Sequence, residues 1–115
     1  MDPGRSDNTV ILLRAAPGSG AAERAGDLAG QLVAAGHPAV VFFHGPAVSL
    51  AVGPQAESWR ELAGEGTLEL WVCESAWQRR HQQALPDGFK SSTLVRFWQR
   101  ALGADQVLAF GSDDD

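Results

Sequence analysis

The chain has 115 residues, 44% of them hydrophobic and 20% charged, with a formal net charge of −5 at pH 7. That length fits one domain able to bury about two-thirds of its unfolded surface. The acidic balance argues against a surface built to coat nucleic acid, the single cysteine excludes an internal disulfide, and no apolar run approaches the ~20 residues that span a bilayer.

Residues 1–8 are polar with mixed charge and read as a loose tail, not a signal peptide, which makes the cytoplasm the default compartment. Val10-Ile11-Leu12-Leu13 is a continuous apolar run, the pattern of a strand covered on both faces. A breaker-rich turn follows. Over residues 21–35 apolar side chains then recur at helical spacing through Ala22, Ala25, Leu28, Ala29, Leu32 and Val33, with Gly36 placed to cap the helix. Gly18-Ser19-Gly20 ahead of this helix invites a phosphate-loop reading, but its spacing matches neither glycine fingerprint and no lysine follows. A tight strand-to-helix connection fits better.

Residues 39–43 form a second buried-type strand, ending at His44-Gly45-Pro46. The apolar stretch 48–52 suits a pocket wall or a subunit contact. Ser58-Trp59-Arg60-Glu61 has the capping-box pattern and predicts a short helix to about residue 65. A turn at Gly64 and Gly66 leads into a third strand over 68–72.

That strand runs directly into the cysteine. Leu68, Leu70 and Val72 share one face, and Glu69, Trp71 and Cys73 share the other. In open α/β sheets chemistry gathers at the carboxyl ends of strands. A helix starting at Glu74 or Ser75 points its free N–H groups at the sulfur, which favours the thiolate, the nucleophilic form. Arg79 and Arg80, two turns further on, add a cationic field. The competing reading is a small buried hydrophobe. His44, at the end of another strand, is placed to orient or protonate a sulfur ligand if its loop lies beside Cys73; otherwise it is a loop histidine without a chemical role. The three histidines, His37, His44 and His81, show no metal-ligand spacing, so no metal site is expected.

The helix after Cys73 should fade near Leu85-Pro86, and a short strand fits near Phe89. A last helix is expected to bury Leu94, Phe97, Trp98, Ala101 and Leu102, capped by Ser91, Ser92 or Thr93 and stopped by Gly103. Residues 106–110 close the sheet, and 112–115 are an acidic tail. Trp59, Trp71 and Trp77 read as exposed aromatics of the kind enriched at interfaces. Strands alternating with helices predict a three-layer α/β/α domain over 9–111, with a mainly parallel sheet of four to five strands.

Several short features occur in a telling order: Val10 to Leu13 then Pro17-Gly18, Ala35-Gly36-His37, Phe42-Phe43-His44, Trp59, Val72-Cys73 then Arg79-Arg80, and Gly88-Phe89. This order resembles the DsrE/DsrF-like sulfur-relay proteins, and within them the DsrE/TusD branch. The most specific match is Cys73 with Arg79-Arg80, similar to the branch's Cys-x5-Arg-Arg signature. The resemblance implies that Cys73 carries a sulfane sulfur as a persulfide, with Arg79 and Arg80 stabilising it and His44 in the same pocket. It implies no cofactor or metal. The implied partners are other sulfur-carrier proteins and DsrE-like subunits in homo- or hetero-oligomers (trimers or hexamers), without direct nucleic-acid or membrane contact. Known outlets are 2-thiouridine synthesis in tRNA and sulfur oxidation. The chain departs from the pattern at Pro46-Ala47, Ser49, Glu74, Ser75 and Trp77. A structural subunit with a passive Cys73, or a small-molecule or nucleotide-binding module at Gly18 to Gly20, are the alternative functions.

Overall fold

The computed structural model describes residues 9–64 and 67–111. Its strands are β1 (Thr9–Leu13), β2 (Ala39–Phe43), β3 (Leu68–Cys73), β4 (Lys90–Ser92) and β5 (Gln106–Phe110). They pair in parallel in the order β4-β3-β2-β1-β5. The helices are α1 (Gly20–Ala35), a 3-10 helix (Gly45–Ala51), α2 (Ala56–Gly64), α3 (Glu74–Arg80) and α4 (Leu94–Leu102). The fifth strand near Phe89 is therefore present as β4.

A central parallel strand is covered on both sides, and β2 has the sequence for it: Val40, Val41, Phe42 and Phe43 are all fully buried. Residues paired in parallel register share a face, so Leu12, Phe42 and Trp71 stand on one side and Leu13, Phe43 and Val72 on the other. α4 lies on the first side, where Phe97 stacks on Phe42 with ring centroids 4.9 Å apart. α2 lies on the second, where Trp59 meets Phe43 edge-on at 5.2 Å, with α1 beside it. The result is a three-layer α/β/α fold.

α1 starts and stops where its sequence directs. Ser19 accepts the Ala22 N–H, and Gly36, at φ 76°, takes the left-handed cap that costs other residues strain. Gly30 in its interior has room for a side chain, since a Cβ there would meet Leu62 Cδ2 at an ordinary 3.9 Å. Gly30→Ala should therefore stabilise the fold by about 0.5–1 kcal/mol, seen as a higher denaturant midpoint at unchanged m-value.

Four expectations need correction. α2 begins at Ala56, so the Ser58 capping box lies inside the helix instead of at its start. α3 ends at Arg80, not near 85, because Trp77 Nε1 donates to the Gln83 carbonyl at 2.9 Å and His81 turns extended to meet Ser49 Oγ at 3.0 Å. Trp59 and Trp77 are core residues at 4% and 6% exposure; Trp71 alone of the three is half-buried. α4 buries only Phe97 and Ala101, one turn apart, while Leu94, Trp98 and Leu102 face outward. A nine-residue helix laid on a sheet through one i, i+4 pair turns the rest of its apolar stripe away.

In the apolar stretch 48–52, Val48, Leu50 and Ala51 are buried within the chain in the 3-10 helix, and Val52 is exposed. The expected tails at 1–8 and 112–115, and the turn at 65–66, lie outside the described residues. Among the described residues no helix is long and apolar enough to cross a membrane.

Candidate functional site

Cys73 is both the last residue of β3 and the residue that caps α3, in extended conformation at φ −63° and ψ 118°. The chain turns there because the next apolar pair, Ala76 and Trp77, docks a helix instead of extending the strand. Two neighbouring strands end at the same level. β4 places Ser92 in register with Cys73, and β2 delivers His44 one residue past its end. These three carboxyl ends enclose a cavity of about 190 Å³, with Glu74, Ser75, Gln78 and Leu94 around it.

The sulfur is largely enclosed. Cys73 is 3% exposed, so it is reached through the cavity and does not stand on an exposed turn. Its Sγ lies 3.5 Å from Ser75 Oγ. Two further groups on the cavity wall are unusual: His44 Nδ1 and Ser92 Oγ are buried and have no hydrogen-bond partner. Among the described residues only one other buried side-chain polar atom, Gln55 Oε1, is in that state. Leaving such a group unpaired costs about 1–3 kcal/mol, so two of them on residues that share a cavity with the thiol need a reason.

The charges around the cavity are arranged at two distances. Arg79 and Arg80 are exposed at the end of α3 and do not line the cavity, although Gln78 just before them does. Their fields still reach His44. Burial, then Arg14, Arg79 and Arg80, hold that imidazole's pKa below the ordinary histidine value. Glu69, on the Cys73 face of β3, is engaged elsewhere: it accepts from Trp71 Nε1 at 3.0 Å and lies 3.8 Å from Lys90 Nζ.

The depressed His44 pKa has a checkable sign. Its neutral form supports the fold, so stability is complete above the unfolded histidine pKa and falls as pH drops below it, where the unfolded chain takes the proton first. The wild type should lose more stability than His44→Gln between about pH 7.5 and about pH 5.5, measured by denaturant titration. Equal losses would mean that His44 titrates as it does in the unfolded chain.

The DsrE/DsrF-like family model matches residues 7–110. The chain belongs to that family. Among solved structures, the crystal structure of the ychN protein from E. coli is similar, with a TM-score of 0.78 and 22% identity, covering 92% of this chain and 100% of that one. At that identity the likeness concerns the fold. No curated protein matches.

Within this DsrE/DsrF-like chain, Cys73 and His44 are brought together, and the arginine pair acts from outside the cavity. The departure at Ser49 has a local account, since its hydroxyl bonds His81, whose ring lies 4.3 Å from that of Trp77. Ser92 and Ser75 are the site members that sequence reasoning missed as such. Ser92 reads only as a possible cap, a role that Thr93 fills by accepting the Arg96 N–H. Its signal would have been the pairing of a three-residue polar strand with the end of β3.

Proposed function

We propose that this DsrE/DsrF-like protein carries sulfane sulfur as a persulfide on Cys73 and passes it to the cysteine of a partner carrier. The observation that carries this reading is that the single thiol shares one small cavity with His44 and Ser92, whose Nδ1 and Oγ are buried and unpartnered. A persulfide extends a thiol by one sulfur atom, and the extra atom needs space and polar neighbours. In loading, the Cys73 thiolate attacks the outer sulfur of a donor persulfide: a new S–S bond forms at Cys73, the donor's S–S bond breaks, and the donor leaves as thiolate. Delivery repeats the exchange with an acceptor thiolate, so neither step needs an external oxidant. Arg79 and Arg80 add positive charge from outside the cavity.

The surface beside the cavity supports a protein partner. Leu94 lines the cavity and begins an exposed apolar side of α4 that continues through Val95, Trp98 and Leu102. Arg79, Arg80, Lys90, Arg96 and Arg100 all fall within residues 79–100 of an otherwise acidic sequence, which favours an acidic carrier or a further DsrE-like subunit. The Cys73-x5-Arg79-Arg80 spacing supports the DsrE/TusD branch, with an outlet in tRNA 2-thiouridine synthesis or sulfur oxidation, in a reducing cytoplasm that keeps the thiol free.

The test is an intact mass of the reduced protein after incubation with a sulfane-sulfur donor. The expected gain is one sulfur atom, removed by reductant. An unmodified thiol, under conditions that load a known carrier, overturns the proposal and leaves the structural-subunit reading, which the low exposure of Cys73 favours.

A further inference from the structure

Ser92 holds a hydroxyl that the fold itself does not use. The residue ends β4, is 5% exposed, and among the described residues its Oγ has no hydrogen-bond partner. That is unusual for serine, whose hydroxyl rotates freely and ordinarily finds a carbonyl or a water. Packing does not explain the choice, because alanine would occupy the same place without a buried group left unmet.

Register places that hydroxyl beside the sulfur. Ser92 and Cys73 are partners on adjacent parallel strands, so their side chains leave the same face of the sheet, with the backbones about 4.8 Å apart. Both line the cavity of about 190 Å³. Sγ already has a neighbour in Ser75 Oγ at 3.5 Å, whereas Ser92 Oγ does not bond it. The cavity wall also limits which groups can meet an anion. No lysine or arginine lines it, Glu74 does, and Gln78 and Thr93 are exposed. His44 Nδ1 is buried and unpartnered too, but a neutral imidazole donates from that nitrogen in only one of its two tautomers. The Ser92 hydroxyl always has a proton to donate.

We infer that Ser92 binds the outer sulfur of the Cys73 persulfide and sets the preference of the site for the loaded over the unloaded state. The inference rests on the persulfide reading of Cys73. In loading, the Cys73 thiolate takes the outer sulfur of the donor, the donor leaves as thiolate, and the persulfide proton passes to that thiolate. The outer sulfur, about 2 Å beyond Sγ, is then anionic and accepts the Ser92 O–H. The two hydroxyls divide the work: Ser75 serves the inner sulfur in both states, and Ser92 serves the outer sulfur in the loaded state alone.

The test equilibrates the reduced full chain, wild type and Ser92→Ala, with a mixture of glutathione persulfide and glutathione, and reads the loaded fraction by intact mass. One sulfur moves between two thiols, so the loaded-to-unloaded ratio is an equilibrium constant. Ser92→Ala should lower it about tenfold, the effect of losing one hydrogen bond to a charged group. Iodoacetamide should alkylate the unloaded thiol of both proteins at the same rate, because the hydroxyl does not engage the bare thiol. The melting temperature should hold or rise, since the variant removes an unmet buried group. Deleting the oxygen also enlarges the cavity, so a purely steric role for Ser92 gives equal or greater loading of the variant. The inference is overturned if the ratio is unchanged or rises, or if alkylation of the unloaded thiol slows in step with it. A fall of several degrees in melting temperature also overturns it, by showing the hydroxyl bonded in the unloaded fold. A wild type that loads beside an unaffected variant removes this inference and leaves the carrier reading standing; a wild type that gains no sulfur removes both.

Discussion

Cys73→Ser should abolish sulfur loading, by a factor of ~100 or more, while leaving the fold nearly as stable as before. The chain holds no second thiol to take over, and a serine hydroxyl is too weak a nucleophile to capture sulfane sulfur at neutral pH. The structural cost is small for a specific reason. A buried hydroxyl is destabilising when it lacks partners, but this one would stand beside Ser75 Oγ, in a cavity shared with His44 Nδ1 and Ser92 Oγ, both unsatisfied. About 1 kcal/mol or less is expected, a few degrees in melting temperature. Intact mass and thermal melting on the same samples separate the two effects. A variant that still gains reductant-sensitive sulfur would move the chemistry away from Cys73.

Phe42→Ala should be among the most damaging single changes to the fold, costing about 3–5 kcal/mol. Phe42 is fully buried in the central strand, its ring stacks on Phe97 at 4.9 Å, and His44 lies 6.0 Å away on the same side. Since Phe97 and Ala101 are the buried residues of α4, losing this stack removes a main part of what holds the helix down. At about 4 °C or more per kcal/mol, the melting temperature should fall by more than about 12 °C. His44 loses its ring neighbour as well, so sulfur loading of the folded fraction should slow. A stability loss below about 1 kcal/mol would show that α4 is held by other contacts.

The parts of this fold that the sequence announces are those with a physical period. β1, β2, β3 and β5 are apolar runs of strand length, and α1 has both its helical stripe and its glycine stop. The strand-to-helix junction at Cys73 is legible for the same reason, because an apolar strand gives way there to a helix-forming segment. What fails is whatever depends on contacts between distant segments. Tryptophan serves cores and surfaces equally well, so only the packing of Trp59 on Phe43 reveals which role it takes. Leu94, Trp98 and Leu102 carry a core-like pattern, yet the sheet offers α4 contact along too narrow a line to use it. Ser92 is the clearest case. Lys90-Ser91-Ser92 has no apolar signature at all, and it becomes part of the site only because parallel pairing sets it level with Cys73.

The sheet order has a consequence for how the chain acquires this structure. β1, the first described strand, is flanked on one side by β5, the last. During synthesis, the hydrogen-bonding edge of β1 on that side therefore waits, unmatched, until residues 106–110 have left the ribosome. Contacts so distant in sequence form slowly, and a bare strand edge attracts other chains meanwhile. A nascent chain stalled before Gln106 would have its pocket-forming strands in hand and still present an open flank.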